Sequence, residues 1–271
     1  MTRTTLVLVG HSLRRIRGVL LGLGLLLAAF QFLLTQVAGY LLRRSAFGQL
    51  SALVPDFIRS MAGPSTLAFL SFGGIVGLGY FHPIVIAALI GLSIAIATEP
   101  AAEVEIRLVD LTLARPITRD EVITRTVLVV IVAAGAMLGL MAAGTWLGLA
   151  CCTATGVKQP SPRLVASLAA NLAAVMLCWS GVTLAIAVAV RRRAVGVAVS
   201  GVTTLAAYLL DYLGRAWEPA RSISTLSPFH YFEPTALILG QPLSGRNMSV
   251  LLGIAVAGSA ISYFVFARRD I

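Results

Sequence analysis

From Gly18 to Leu42 the chain runs 25 residues without a charged side chain, and uncharged runs of similar or greater length cover 60–98, 126–156 and 164–190. A bilayer's hydrocarbon core is about 30 Å thick and takes roughly 20 apolar residues as a helix, because lipid offers no partner to an exposed backbone amide. Runs of this length and number predict an all-α polytopic membrane protein. Composition agrees: 58% hydrophobic and 12% charged residues, with a mean hydropathy of +0.91, lie outside soluble-domain usage.

The net charge of +10 could point to nucleic acid, but the arginines gather at the ends of apolar runs, as the positive-inside rule requires of a membrane chain. No nucleic-acid partner is expected. The arginines before Gly18 also resemble the start of a signal peptide. The run that follows lacks a convincing small-residue cleavage site, so it reads as a retained span.

In chain order, Leu6, Val9, Leu13 and Ile16 at helical spacing predict an amphipathic helix over 1–17 on the inner leaflet, followed by a first span over 18–42. The uncharged stretch 60–98 is too long for one helix, and Gly63-Pro64 and His82-Pro83 are its natural breaks. Either it holds two spans, or 43–80 is an external or re-entrant segment before one span at 81–98. Counting Lys and Arg on each side favours the second: one span puts 13 basic residues inside against 8 outside, two spans put 9 against 12, with 60–80 still open as external, re-entrant or a seventh span. The one-span arrangement follows the rule.

Further spans are expected at 126–150, 164–190, 194–210 and 248–267, six in all, with both termini in the cytoplasm. Arg191-Arg192-Arg193 must leave the bilayer, since central arginines cost roughly 2.5 to 3.5 kcal/mol each. Pro219, Pro228, Pro234 and Pro242 break the outer segment 211–247. Cys151, Cys152 and Cys178 have neither metal-ligand spacing nor nearby histidines, and read as small apolar residues.

Between the second and third spans lies the one long charged segment bounded by apolar sequence, and six of the chain's 11 acidic residues fall within 99–121. Glu103, Arg107 and Asp110 stand at i, i+4 and i+7, so one helical face can carry ion pairs. Pro116 ends that helix. Thr118-Arg119-Asp120-Glu121 reads as a capping box that starts another. A break between two helices, held at the membrane surface, suits a docking element for a cytoplasmic partner.

The run Asp110-Leu-Thr-Leu-Ala-Arg-Pro-Ile-Thr-Arg119 resembles the motif between spans two and three of type-2 ABC exporter permeases, where an acidic, leucine-rich turn ends in Arg-Pro-Val/Ile-Ser/Thr-Arg. Leu226-Ser-Pro-Phe-His-Tyr-Phe-Glu-Pro234 and the ending Phe266-Ala-Arg-Arg-Asp-Ile271 agree with that class in order and position, while Arg107-Leu108 stands where it often has Gly-Thr. The resemblance implies a half-size exporter permease in the cytoplasmic membrane. It makes 103–121 a coupling helix seated in an ATPase subunit, through Glu103, Glu105, Arg107, Asp110, Leu111, Arg115, Pro116, Thr118 and Arg119. It makes the N-terminal helix a connecting helix and 211–247 short external helices capping the exit. Two permease copies, a homodimer, would then work with two separate ATPase chains that bind ATP and Mg.

The chain itself is not expected to be an enzyme. A phosphate-cradling Walker loop needs Gly-Lys-Ser/Thr, and the only lysine, Lys158, lies between Val157 and Gln159. Polar residues within or at the ends of spans mark candidates for the transport path: Asn171, Thr203 and Thr204, with Tyr208, Asp211 and Tyr212 as an external gate. Gln31, Thr35 and Gln36 in the first span, Ser180 and Thr183 in the fourth and Ser200 in the fifth belong to the same class. Competing readings are a non-transporting membrane anchor subunit and a membrane-embedded enzyme such as a lipid-modifying transferase or protease. The scattered His11, His82 and His230 offer the second little chemistry. An ion-driven carrier would show an internal repeat, and none is visible.

Overall fold

The apolar runs fold as helices throughout, and no strand occurs among the described residues of the computed structural model, which are 3–43, 71–105, 118–152 and 159–268. In chain order the helices are α1 (Arg3–Arg43), α2 (Phe72–Leu78), α3 (Pro83–Ala97) and α4 (Glu99–Glu105). Then follow α5 (Arg119–Cys152), α6 (Pro162–Ala189) and α7 (Arg193–Ala216). Two short helices, α8 (Arg221–Ser224) and α9 (Pro234–Ile238), precede α10 (Gly245–Ala267). Single 3-10 turns occupy Glu218–Ala220 and Pro228–Tyr231. Six stretches of the described residues are long and apolar enough to cross a membrane, so the chain is an integral multi-pass membrane protein.

Several element bounds differ from those read off the sequence. The expected surface helix 1–17 and span 18–42 form one unbroken helix, because no proline or polar cap interrupts the backbone ladder between them. The second membrane stretch starts at Phe72 rather than at 81. There α2 is capped by Ser71, whose Oγ accepts from Gly74 N at 3.0 Å, and Tyr80 behind it is fully buried. Residues 71–80 are thus part of the bundle, and 44–70 lie outside the described residues. The fifth span continues past 210 to Ala216, where Glu218-Pro219 ends it. Asp211 and Tyr212 consequently sit on a span helix, not in the segment after it.

Helix starts are set by local chemistry. Pro162 at the first turn of α6 follows Ser161, whose Oγ accepts from Leu164 N at 3.2 Å. Pro83 follows His82, whose Nδ1 accepts from Ile84 N at 3.3 Å.

The bundle is assembled on α5 and α6, with α1 lying along α5, α10 along α6, and α3 against α6. Bare backbone meets backbone at two of these seams. On α5, Gly144 faces the Ala28 carbonyl and Gly148 faces Thr35. On α10, Gly258 faces the Gly181 carbonyl of α6. Small residues let helix axes approach where lipid gives no hydrophobic drive. Beside the α1–α5 seam, Gln31 Nε2 donates to Thr145 Oγ1 at 3.0 Å and to Val76 O at 3.3 Å. Tyr80 Oη lies 3.0 Å from the same Thr145 hydroxyl.

Gly253 and Gly258 share α10, yet a Cβ at Gly253 would meet nothing within 4 Å, whereas one at Gly258 would strike Gly181 backbone. Gly258→Ala is expected to cost about 1–3 kcal/mol, and Gly253→Ala to stay within about 0.5 kcal/mol of wild type. Thermal denaturation of the two purified variants in detergent checks the contrast.

Candidate functional site

Three glutamates on the seven-residue helix α4 reach three different helices. Glu103 Oε1 accepts from Arg125 Nη1 of α5 at 2.7 Å, and the two side chains are only 14% and 9% exposed. Glu105 Oε2 accepts the backbone N–H of Arg193 at 2.9 Å. This places a carboxylate at the N-terminus of α7, where no side chain of that helix provides a cap and the helix dipole favours negative charge. Glu99 Oε2 lies 3.4 Å from Arg15 Nη1 of α1, and its Oε1 lies 3.7 Å from Arg193 Nη2. That guanidinium also donates to Ala95 O at 3.1 Å, at the end of α3.

These contacts are unequal. Arg15 is 61% exposed, and an exposed pair is worth at most about 1 kcal/mol. Glu103 and Arg125 are nearly desolvated, so removing one partner strands a charge.

On the other shoulder of the charged segment, the capping box forms reciprocally. Thr118 N donates to Glu121 Oε2 at 3.1 Å and Glu121 N donates to Thr118 Oγ1 at 3.3 Å. Arg119 Nη1 donates to Ala267 O at 3.1 Å, joining the start of α5 to the end of α10, and Thr124 Oγ1 lies 2.8 Å from Tyr263 Oη on the same pair of helices. Both shoulders of the segment are therefore fixed to the bundle.

Of the residues picked from the sequence for docking, Glu103, Glu105, Thr118 and Arg119 have partners within the chain. Arg107, Asp110, Leu111, Arg115 and Pro116 lie outside the described residues. Arg125, Arg193 and Glu99 were not singled out as site residues. The only sequence signal for them was that their charges stand beside the apolar runs whose ends must meet.

At the opposite end of the bundle, Tyr208, Asp211 and Tyr212 are brought together on α7 around a cavity of about 210 Å³. Asp211 and Arg215 form the wall between it and a second, more polar cavity of about 490 Å³. Asp211 Oδ2 accepts from Arg215 Nε at 2.8 Å, and His230 Nδ1 stands 3.9 Å from Oδ1. The 226–232 segment is seated on α7 by Ser227 Oγ, which donates to Ala207 O at 2.7 Å, and by Phe229, whose ring meets Tyr208 edge-to-face at 5.6 Å. Gly214 faces Ser224 so closely that a Cβ has no room, which lets α8 fold back onto α7.

Asn171, Thr203 and Thr204 line neither cavity. Asn171 is buried on α6, and the two threonine hydroxyls donate to Val199 O and Ser200 O of their own helix at 2.8 Å each. Arg215, Glu218, Arg221, Ser224, His230 and Glu233 also line the second cavity and were not picked out as site residues. The i, i+4 spacing of Asp211 and Arg215 was the available signal for one of them.

Comparison with known proteins gives one family model, described as multidrug efflux system permease Rv1217c, C-terminal domain, which matches residues 8–267. No curated protein and no solved structure matches the chain.

Arg125→Gln is expected to destabilise the protein by about 3–5 kcal/mol, because it leaves Glu103 buried without its cation. The double variant Glu103→Gln/Arg125→Gln should recover much of that loss. A double-mutant cycle on thermal or denaturant unfolding measures the coupling.

Proposed function

Because this chain belongs to the family described as multidrug efflux system permease Rv1217c, C-terminal domain, we propose that it is the permease half of an ATP-driven exporter of small compounds. It forms the translocation path and is driven by a separate cytoplasmic ATPase chain that docks on the 103–121 segment. ATP and Mg are bound by that partner, and the working unit holds two permease copies and two ATPases in the cytoplasmic membrane.

The observation that carries this reading is the set of three carboxylates on α4. Glu99, Glu103 and Glu105 connect one short helix to α1, α5 and α7, so a push on the charged segment is passed to three spans at once. A docked ATPase that closes on nucleotide supplies such a push. The basic-residue balance of 13 against 8 supports putting this end in the cytoplasm. The Asp211 cavities then lie at the exit.

Docking and coupling separate on this reading. Asp110 and Arg115, from the part of the loop that the resemblance assigns to the ATPase groove, make the contact, and Glu105, bonded within the chain, passes it on. Charge reversal at Asp110→Lys/Arg115→Glu is expected to abolish co-purification of the ATPase from co-expressing cells. Glu105→Gln is expected to keep the ATPase bound while lowering substrate-stimulated ATP hydrolysis about tenfold, the effect of a charged hydrogen bond worth about 1.5 kcal/mol. Unchanged co-purification by the reversed loop, together with unchanged transport, would sink the reading. An ATPase that binds but ignores both loop variants would make the chain a passive anchor.

A further inference from the structure

Two carboxylates keep a buried oxygen without a hydrogen-bond partner among the described residues, Glu103 at Oε2 and Asp211 at Oδ1, and of these Asp211 borders two cavities. The residue is 7% exposed and one oxygen, Oδ2, is bound by Arg215. The other, Oδ1, is buried and has no hydrogen-bond partner among the described residues. His230 Nδ1 stands 3.9 Å from it, beyond hydrogen-bond range. A buried carboxylate oxygen without a partner carries its full desolvation penalty, and beside a cavity a ligand can relieve it.

Its surroundings state what that is. On one side the cavity is walled by Phe81, Tyr208, Tyr212, Phe229 and Phe232, rings whose faces attract cations and bury apolar bodies. On the other side the carboxylates of Asp211, Glu218 and Glu233 face the guanidiniums of Arg215 and Arg221. Three carboxylates stand against two guanidiniums there, in a chain whose net charge is +10. At about 490 Å³, with about 210 Å³ more on the aromatic side, the pair is of the size that holds drug-like molecules. His230 is partly exposed, with a long 3.4 Å contact to Ser224 Oγ and an edge-to-face contact with Tyr231 at 5.2 Å, and a ligand that reaches Oδ1 has to displace this ring.

We infer that the paired cavities at this end of the bundle bind a lipophilic organic cation, with the charged centre on Asp211 Oδ1 and the apolar body against the aromatic wall. The inference names a substrate class for the proposed export and rests on that reading only for the direction of movement. Binding without ATP stands or falls apart from ATPase docking.

The test is equilibrium binding of radiolabelled tetraphenylphosphonium to the purified full-length protein in detergent without nucleotide. Tetraphenylborate, of the same shape and opposite charge, serves as competitor. Saturable binding is expected, displaced by unlabelled tetraphenylphosphonium and not by tetraphenylborate. Asp211→Asn should weaken it about tenfold or more, and Asp211→Glu should restore most of it. Tyr212 is exposed, so Tyr212→Leu leaves folding intact and should weaken binding about threefold to fivefold. That variant carries the test should Asp211→Asn fail to fold. Equal competition by the anion, absence of saturable binding, or wild-type affinity in both Tyr212→Leu and any folded Asp211→Asn protein would overturn the assignment.

Discussion

The ion pair of Glu103 with Arg125 is the contact on which the charged end of the molecule depends. Both side chains are nearly out of water, at 14% and 9% exposure, where charges interact far more strongly than in bulk solvent and are also far more costly to leave alone. Its two partners sit on either side of the segment that leaves one span and enters the next. The pair therefore closes the base of that segment whatever its apex does. Glu105 and Glu99 add directional contacts of lower energy around it, so α4 is oriented by one strong bond and steered by weaker ones.

The two ends of the bundle are built on different physics. Toward the charged segment, carboxylates and guanidiniums find one another and the short helices are fixed. The middle is dry and close, with glycine backbone against helix backbone at Gly144 and Gly258, and its few polar groups, such as Gln31, Thr145 and Tyr80, bond one another. The far end is more open: aromatic rings, short helices and two cavities meet around the Asp211 carboxylate. A transporter needs that gradient, because a path must open somewhere while the elements that move it stay rigid.

Much of this was legible in the sequence. Six membrane stretches follow from uncharged run lengths, and the Thr118–Glu121 box follows from residue spacing alone, since its partners lie three residues apart. The clustering of Tyr208, Asp211 and Tyr212 follows from one helix face. What could not be read is every bond between distant segments: Arg125 meets Glu103 across 22 positions, Arg15 meets Glu99 across 84, and Arg193 meets Glu105 across 88. No periodicity encodes such pairings; they are set by how whole helices pack. For the same reason Glu103 and Glu105 read as outward docking groups in the sequence, whereas the fold gives both of them partners inside the chain. Continuity of α1 was hidden by composition, because a change from amphipathic to uniformly apolar sequence looks like a boundary though nothing in the backbone breaks there.

That continuity has a mechanical consequence. A helix of 41 residues is about 60 Å long, roughly twice the hydrocarbon thickness. Its closest backbone approach is in its C-terminal half, where Gly144 and Gly148 of α5 press on Ala28 and Thr35, and Gln31 and Gln36 bond to α5 along the same stretch. Arg15 lies about 20 Å from Ala28 along the rod. A load taken up by Arg15 thus travels without a joint to the part of the helix that is held most tightly.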